Sequence, residues 1–279
     1  METHKLHEEL LRKTVEMLVV GCGGNGSAIV GGLPFLQQAM IAQGHPYGLH
    51  VTVMDGDAVS AVNCVRQPFS KREVSLNKAI VLVNRINLFW GLRWTAIPRA
   101  LTAQTLHPEY AGYNERYLQP DIVIGSVDTR AARETIAKSV SSSSLTAYYL
   151  DLGNSSSTGQ FVLGEPLNAR NKRSRTRLRT VAELFDEIVR ADLDDDNEPS
   201  CSAVEAIERQ HPFLNAALAQ HALALLARLF RYGEISYHGG FIDVAATRVT
   251  PLPVDPMVWR RLRNRRVGTA AGMKRATAA

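Results

Sequence analysis

Three cysteines in 279 residues, Cys22, Cys64 and Cys201, are too few and too scattered for a disulfide framework. No C-x-x-C pair is present to hold a structural zinc, and the eight histidines are dispersed with no metal-like pair. Long apolar runs are missing too. The most apolar stretch, Leu214 to Phe230, is interrupted by Gln220, His221 and Arg228, so it reads as a buried amphipathic helix and not as a membrane span. The N-terminus carries Glu2, Glu8 and Glu9 and no signal-type apolar core, so secretion is not expected and a reducing cytoplasm fits best. No internal repeat is found. What remains, with 45% hydrophobic and 21% charged residues, is an ordinary globular composition on a chain long enough to bury a large core.

The net charge of +5 is spread unevenly. Residues Arg170 to Arg179 carry only basic charges, Asp192 to Glu198 only acidic ones, and Arg260 to Arg275 again only basic ones. Like-charge blocks repel and favour solvated loops and tails. The sharper alternative, less favoured, is a handle for an acidic partner, protein or nucleic acid. No aromatic residue interleaves Arg170 to Arg179 or Arg263 to Arg275, so single-strand binding is the less favoured use.

Along the chain, a short polar helix precedes the apolar run Met17 to Val20, which leads straight into Gly21-Cys22-Gly23-Gly24-Asn25-Gly26. A helix is expected from about Gly24 to Gln43, broken by Gly44 to Gly48, and then a strand from His50 to Met54. Ser75 to Asn87 has helical spacing, and Trp94 to Pro98 and Asp121 to Ile124 read as strands. Thr129 to Ser139 should be helical, the serines Ser141 to Ser144 a loop, and Ala147 to Leu152 and Gly159 to Leu163 further strands. This alternation predicts an α/β fold with a doubly wound, mostly parallel sheet. A short helix over Val181 to Val189, a long one over Pro212 to Tyr232 and a β-hairpin over Gly240 to Val254 form the C-terminal extension. The expected organisation is a nucleotide-binding core over 1–163, a charged crossover loop over 164–202, a helix and hairpin completing the same domain over 203–259, and a basic flexible tail over 260–279 that should fray.

The glycine loop carries the first chemistry. A strand that enters a helix through such a loop lets backbone amides and the positive helix end approach phosphate oxygens. Without Cβ atoms at Gly21, Gly23, Gly24 and Gly26, the turn can be tight and the ligand close. Asp55, ending the second strand, would bind ribose hydroxyls. Many nicotinamide and flavin enzymes share that much. The residues after it are more telling: Asp55-Gly56-Asp57, then Asn63, Arg66-Gln67, and Lys78 a helical stretch further on. A triphosphate, unlike a dinucleotide, needs such cations. Arginine offers a planar fork to phosphate oxygens and lysine a point charge. Taken singly, Arg66 and Lys78 read as surface cations, and Asp128 as a helix cap before Thr129.

In this order and spacing the elements resemble the family of ThiF, MoeB and the ubiquitin-activating enzymes, with its G-x-G-G-x-G loop, D-x-D, N-x-x-R-Q, a lysine, and D-x-x-x-x-R, here Asp128 and Arg133. The likeness covers about residues 16 to 155. It implies an enzyme that uses ATP and magnesium to adenylate the C-terminal carboxylate of a small ubiquitin-like or sulfur-carrier protein, working as a homodimer. By the same resemblance Asp55 and Asp57 belong to the nucleotide site. Asn63, Arg66 and Lys78 hold the triphosphate, Gln67 positions the arginine, and Asp128 holds Mg2+. Ubiquitin-activating relatives carry a nucleophilic cysteine after the core, a role that would fall to Cys201. Two departures stand out: the zinc-binding cysteine pairs are missing, and Arg12 and Lys13 lie where relatives carry an N-terminal arginine segment but lack its motif. The later features, Pro199 to Ser202, Gly239-Gly240 and Pro251 to Trp259, resemble the ThiF-like members of plasmid-borne PRTRC systems. Two other uses of the same residues stay open: an ATP-dependent enzyme acting on a small molecule or a modified tRNA base, and a non-catalytic nucleotide-binding scaffold.

Overall fold

The computed structural model describes residues 2–106, 118–174, 176–193 and 211–263. The first strand of the main sheet, β2 (Val15–Val20), is buried on both faces and leads into α1 (Gly24–Ala42) and β3 (Leu49–Met54). A short helix α2 (Asn63–Arg66), α3 (Lys78–Trp90) and β4 (Thr95–Ile97) follow. After residue 118 come β5 (Ile122–Gly125), α4 (Arg130–Ser142), β6 (Tyr148–Asn154) and β7 (Thr158–Gly164). Then come α5 (Val181–Leu184), the long α6 (Leu214–Tyr232), and the hairpin β9 (Tyr237–Asp243) and β10 (Arg248–Pro253). Two short strands, β1 (His4–Lys5) and β8 (Glu234–Ile235), pair with each other. The eight-stranded sheet runs β10-β9-β7-β6-β5-β2-β3-β4, parallel from β6 to β4 and antiparallel from β6 through β10.

Strand order decides where a ligand can sit. From β2 the chain steps outward to β3 and β4. It then returns to β5 on the other side of β2 and steps the opposite way to β6. Right-handed crossovers therefore send α1 and α3 to one face and α4 to the other, which opens a crevice between the ends of β2 and β5. On the α1 face, α6 packs against α1 so closely that a Cβ on Gly32 would overlap the Leu223 side chain. The C-terminal helix and hairpin thus extend the same layers as the core: α6 lies on α1, and β9 pairs with β7. The outermost strand β10 carries Pro251 and Pro253.

Five local expectations need correction. The third helix starts at Lys78, not Ser75, because Ser75 sits in the left-handed region at φ 74°. Asn77 then caps the helix, its Oδ1 accepting from the Ile80 amide at 3.1 Å. The segment over Val181 to Val189 breaks at Phe185 into α5 and a 3-10 turn. The serine tract is no simple loop: α4 runs through Ser142, and the buried Ser143 hydroxyl accepts from the Thr146 amide at 3.2 Å. The basic block is partly consumed inside the fold. Arg177 is buried and donates to both Glu183 carboxylate oxygens, and Arg170 pairs with Glu9 and Asp121, while Lys172 and Arg173 are exposed. The flexible tail expected from Arg260 begins as ordered structure: the chain is helical over 256–263, a span that includes the buried Trp259. The rest of the basic tail and residues 194–198 of the acidic run lie outside the described residues.

His238 on β9 illustrates a core that is sensitive to acid. It is fully buried, donates from Nδ1 to the Leu163 carbonyl at 2.7 Å, and has no partner on Nε2 among the described residues. Burial pushes its pKa down from 6.5 to about 4. Between those values the unfolded chain takes up the proton and the folded chain does not, so stability falls as pH drops from about 6.5 towards 4. The loss at pH 4 is about 3 kcal/mol. Urea unfolding across that range should show a shallower acid slope for His238→Gln. An unchanged slope would contradict this account.

Candidate functional site

The loop joining β2 to α1 is built from glycines used in two ways. Gly21 has φ 92°, and a Cβ there would stand 2.9 Å from the Ser126 carbonyl on the neighbouring β5 loop. A Cβ on Gly26 would overlap the Gly21 carbonyl oxygen, and one on Gly24 the Asn215 amide. These three glycines let protein meet protein. Gly23 differs, because nothing of the protein lies within 4 Å of where its Cβ would be. It faces a cleft of about 880 Å³ that opens where the strand order reverses.

Around that cleft stand the groups expected from sequence. Asp55 is buried at the end of β3, and its carboxylate accepts from the backbone amides of Cys22 and, at 2.7 Å, Asp57. Burial raises its pKa, and those amides with Lys78 work against the rise. The carboxylate therefore shapes the glycine loop as well as facing the cleft. Lys78, the first residue of α3, is buried with its Nζ 2.9 Å from Oδ2 of the exposed Asp57. Asn77 ties this corner together, donating to the carbonyls of Asp55 at 2.9 Å and Asp57 at 3.1 Å. Asn63 opens α2 and accepts from the Ser60 amide at 2.9 Å, which sets Arg66 at the end of that one-turn helix against the cleft. Gln67 follows, with its Oε1 buried and without a hydrogen-bond partner among the described residues.

Across the cleft is Asp128, exposed in the loop after β5. The cap of α4 is Thr129, whose hydroxyl accepts from the Ala132 amide at 3.2 Å. The capping role that Asp128 alone would suggest is therefore filled by its neighbour. Gly21, Gly23, Gly24, Asp55, Asp57, Asn63, Arg66, Gln67, Lys78 and Asp128 all line this one cleft, and Gly26 braces it from behind. Cys201 lies outside the described residues. Cys22 is packed inside, its thiol pushed well up by burial and by Asp55. Arg12 pairs with Glu8 and Lys13 with Asp121 at 2.6 Å, away from the cleft lining.

Sequence reasoning missed several lining residues. Ser126 donates from Oγ to the carbonyls of Val20 at 3.1 Å and Gly21 at 2.9 Å, riveting the two loops. Asn25 donates to Asn154 at 2.7 Å, and Asn215 closes the same wall. Asn25 was legible, since it is the lone carboxamide inside the glycine loop. Asn154 and Asn215 are brought there by β6 and α6 and carry no sequence signal.

Among the described residues no group of three or more histidines, cysteines or acids is arranged to hold a metal. Magnesium does not need one, since it binds through one or two carboxylates with phosphate oxygens and water. The exposed carboxylate of Asp128 at the rim suits that donor set. Among the described residues no helix is long and apolar enough to cross a membrane.

A doubly wound sheet with a glycine loop at its switch point, ringed by cations and carboxylates, defines a nucleotide-binding α/β protein. The chain belongs to the ThiF family, whose sequence model matches residues 3–257. Among solved structures it is similar to E. coli MccB in a structure with AMPCPP and MccA, at 16% identity and TM-score 0.56, over 88% of this chain and 66% of that one. It is similar also to PaaA, at 15% identity and TM-score 0.56, over 88% of this chain and 65% of that one. That likeness establishes the fold, and the chain spans only about two thirds of the length of those structures. No curated protein sequence matches it.

Proposed function

We propose that the cleft binds MgATP and adenylates the C-terminal carboxylate of a small ubiquitin-like or sulfur-carrier protein. The observation that carries this reading is the pairing, in one cleft, of a glycine loop open at Gly23 with Arg66 and Lys78 on one wall and Asp128 on the other. Asp55 lies at the ribose end beside β3, the amides of the loop and α1 face the phosphates, and Lys78 and Arg66 take charge on the triphosphate. An oxygen of the substrate carboxylate forms a bond to the α-phosphorus as the bond from that phosphorus to the bridging oxygen breaks, and pyrophosphate leaves. Little covalent help is required. Positioning and neutralisation of negative charge lower the barrier. Magnesium, held by Asp128, would supply further neutralisation of the phosphate oxygens.

The MccB structure that holds AMPCPP and MccA together supports a nucleotide and a second molecule sharing such a fold. In this proposal the protein works as a homodimer. Cys201 then receives the acyl group as a thioester, releasing AMP. A Cys201→Ala protein should still make the acyl-adenylate and lack a reductant-sensitive conjugate, and persistence of that conjugate would rule the step out. The site itself is tested by calorimetry with ATP and NAD in the presence of magnesium. ATP should bind more tightly because only a triphosphate uses both Arg66 and Lys78. Tighter binding of NAD would overturn the reading.

A further inference from the structure

Behind Asp128, and bordering the cleft at Arg133, lies a buried polar network to which the proposed chemistry assigns no step. Arg133, on the second turn of α4 and only 8% exposed, donates from Nε and Nη2 to the Val127 carbonyl at 3.2 and 3.0 Å. Nη2 donates also to the Leu152 carbonyl at 3.1 Å, at the end of the neighbouring strand β6. Its Nη1 stands 3.9 Å from Oδ1 of Asp151, which is fully buried, and the Tyr149 hydroxyl donates to Asp151 Oδ2 at 2.8 Å. Two glycines make room for this. A Cβ on Gly125 would stand 2.9 Å from the Tyr149 hydroxyl, and one on Gly153 would stand 2.6 and 2.7 Å from the Arg133 guanidinium nitrogens.

Burying an ion pair is a poor route to stability, because desolvation offsets most of the attraction and apolar residues of similar volume often do as well. The network does something apolar packing could not. Two guanidinium nitrogens make three directed bonds, two to the carbonyl of the residue immediately before Asp128 and one to Leu152 on β6, while Ser126 ties the same loop to Gly21. We propose that Arg133, backed by Asp151 and Tyr149, is a positioning residue that holds the Val127–Asp128 loop so that the Asp128 carboxylate meets the metal–nucleotide. This rests on the role proposed above for Asp128. Arg133 acts through the loop and not on the phosphates.

The test uses the full chain, AMPCPP as a nucleotide that cannot react at the α–β bridge, and Mn2+ as the metal probe. Free Mn2+ is read by electron paramagnetic resonance, and metal-free AMPCPP binding by calorimetry. Removing a residue that orients a metal ligand typically weakens metal binding about 10- to 100-fold. Arg133→Gln should therefore weaken Mn2+ binding to the protein–AMPCPP complex by about 10-fold, with metal-free AMPCPP affinity within about 3-fold of wild type. Arg133→Lys should recover part of the loss. Should the lone buried Asp151 prevent folding, the double variant Arg133→Gln/Asp151→Asn removes the charge imbalance and should show the same loss. Unchanged Mn2+ affinity in a folded variant would overturn the proposal. So would an equal fall in metal-free AMPCPP affinity, which would mark a direct phosphate contact. Asp128→Asn separates the two levels. If it loses Mn2+ binding and Arg133→Gln does not, only the positioning role fails. If it too binds Mn2+ normally, the role of Asp128 fails first and this one with it.

Discussion

Replacing Asp128 with asparagine is expected to reduce ATP–pyrophosphate exchange by roughly 100-fold or more, since that is the scale on which a preorganised charge partner acts. The chain should stay folded. Asp128 is exposed, Thr129 caps α4 in its place, and an amide of nearly the same shape strains nothing in the loop. What changes is chemistry: a neutral amide is a poor ligand for a hard dication that prefers carboxylate and phosphate oxygens. Circular dichroism and thermal unfolding should match wild type while exchange, measured with the proposed carrier protein, falls on that scale. Exchange at the wild-type rate would show that Asp128 does not serve the reaction.

The glycine loop supplies the second large effect, as a contrast between two alanines. In Gly26→Ala the new methyl would overlap the Gly21 carbonyl and stand 2.6 Å from the Ser126 hydroxyl, so backbone must move. Overpacking of this kind costs about 1–3 kcal/mol or more, and unfolding should begin at lower temperature with or without nucleotide. In Gly23→Ala the methyl meets nothing of the protein within 4 Å, and stability should be unchanged within about 0.5 kcal/mol. On the binding mode proposed above its methyl would occupy space the phosphates need, and ATP affinity should fall at least 10-fold. Calorimetric scans with and without MgATP read both quantities. A Gly23→Ala protein that binds ATP normally would place the phosphates elsewhere in the cleft.

How much of this was legible before the fold was known depended on whether each signal was local. The apolar runs of β2, β3 and β5 announce strands buried on both faces, and the loop glycines with Asp55 mark the crevice at their ends, because each needs only near neighbours in sequence. The start of α3 was misplaced because Ser75 adopts a left-handed turn that no periodicity reports, although Asn77, a good capping residue, was there to be read. Arg177 illustrates the limit. In sequence it is one of a row of basic residues, and only the return of α5 puts Glu183 against it. Likewise Asn154 and Asn215 reach the cleft from β6 and α6, far along the chain from the glycine loop. The network at Arg133 depends on the register of β5 beside β6, which no local pattern encodes.

Both margins of the large sheet are blunted. At one side β10 carries Pro251 and Pro253, which have no amide hydrogen to offer, and at the other β4 is only three residues long. Such margins discourage edge-to-edge pairing between copies of the chain, and so guard against aggregation. They also narrow the ways a protein partner can dock. An extended tail gains little by adding itself as another strand at either margin, so its recognition must come from side chains on the helical faces or from the mouth of the cleft. On the function proposed above, a carrier protein presenting a flexible C-terminus would be held by its folded body, with the tail entering end-on through the mouth of the cleft.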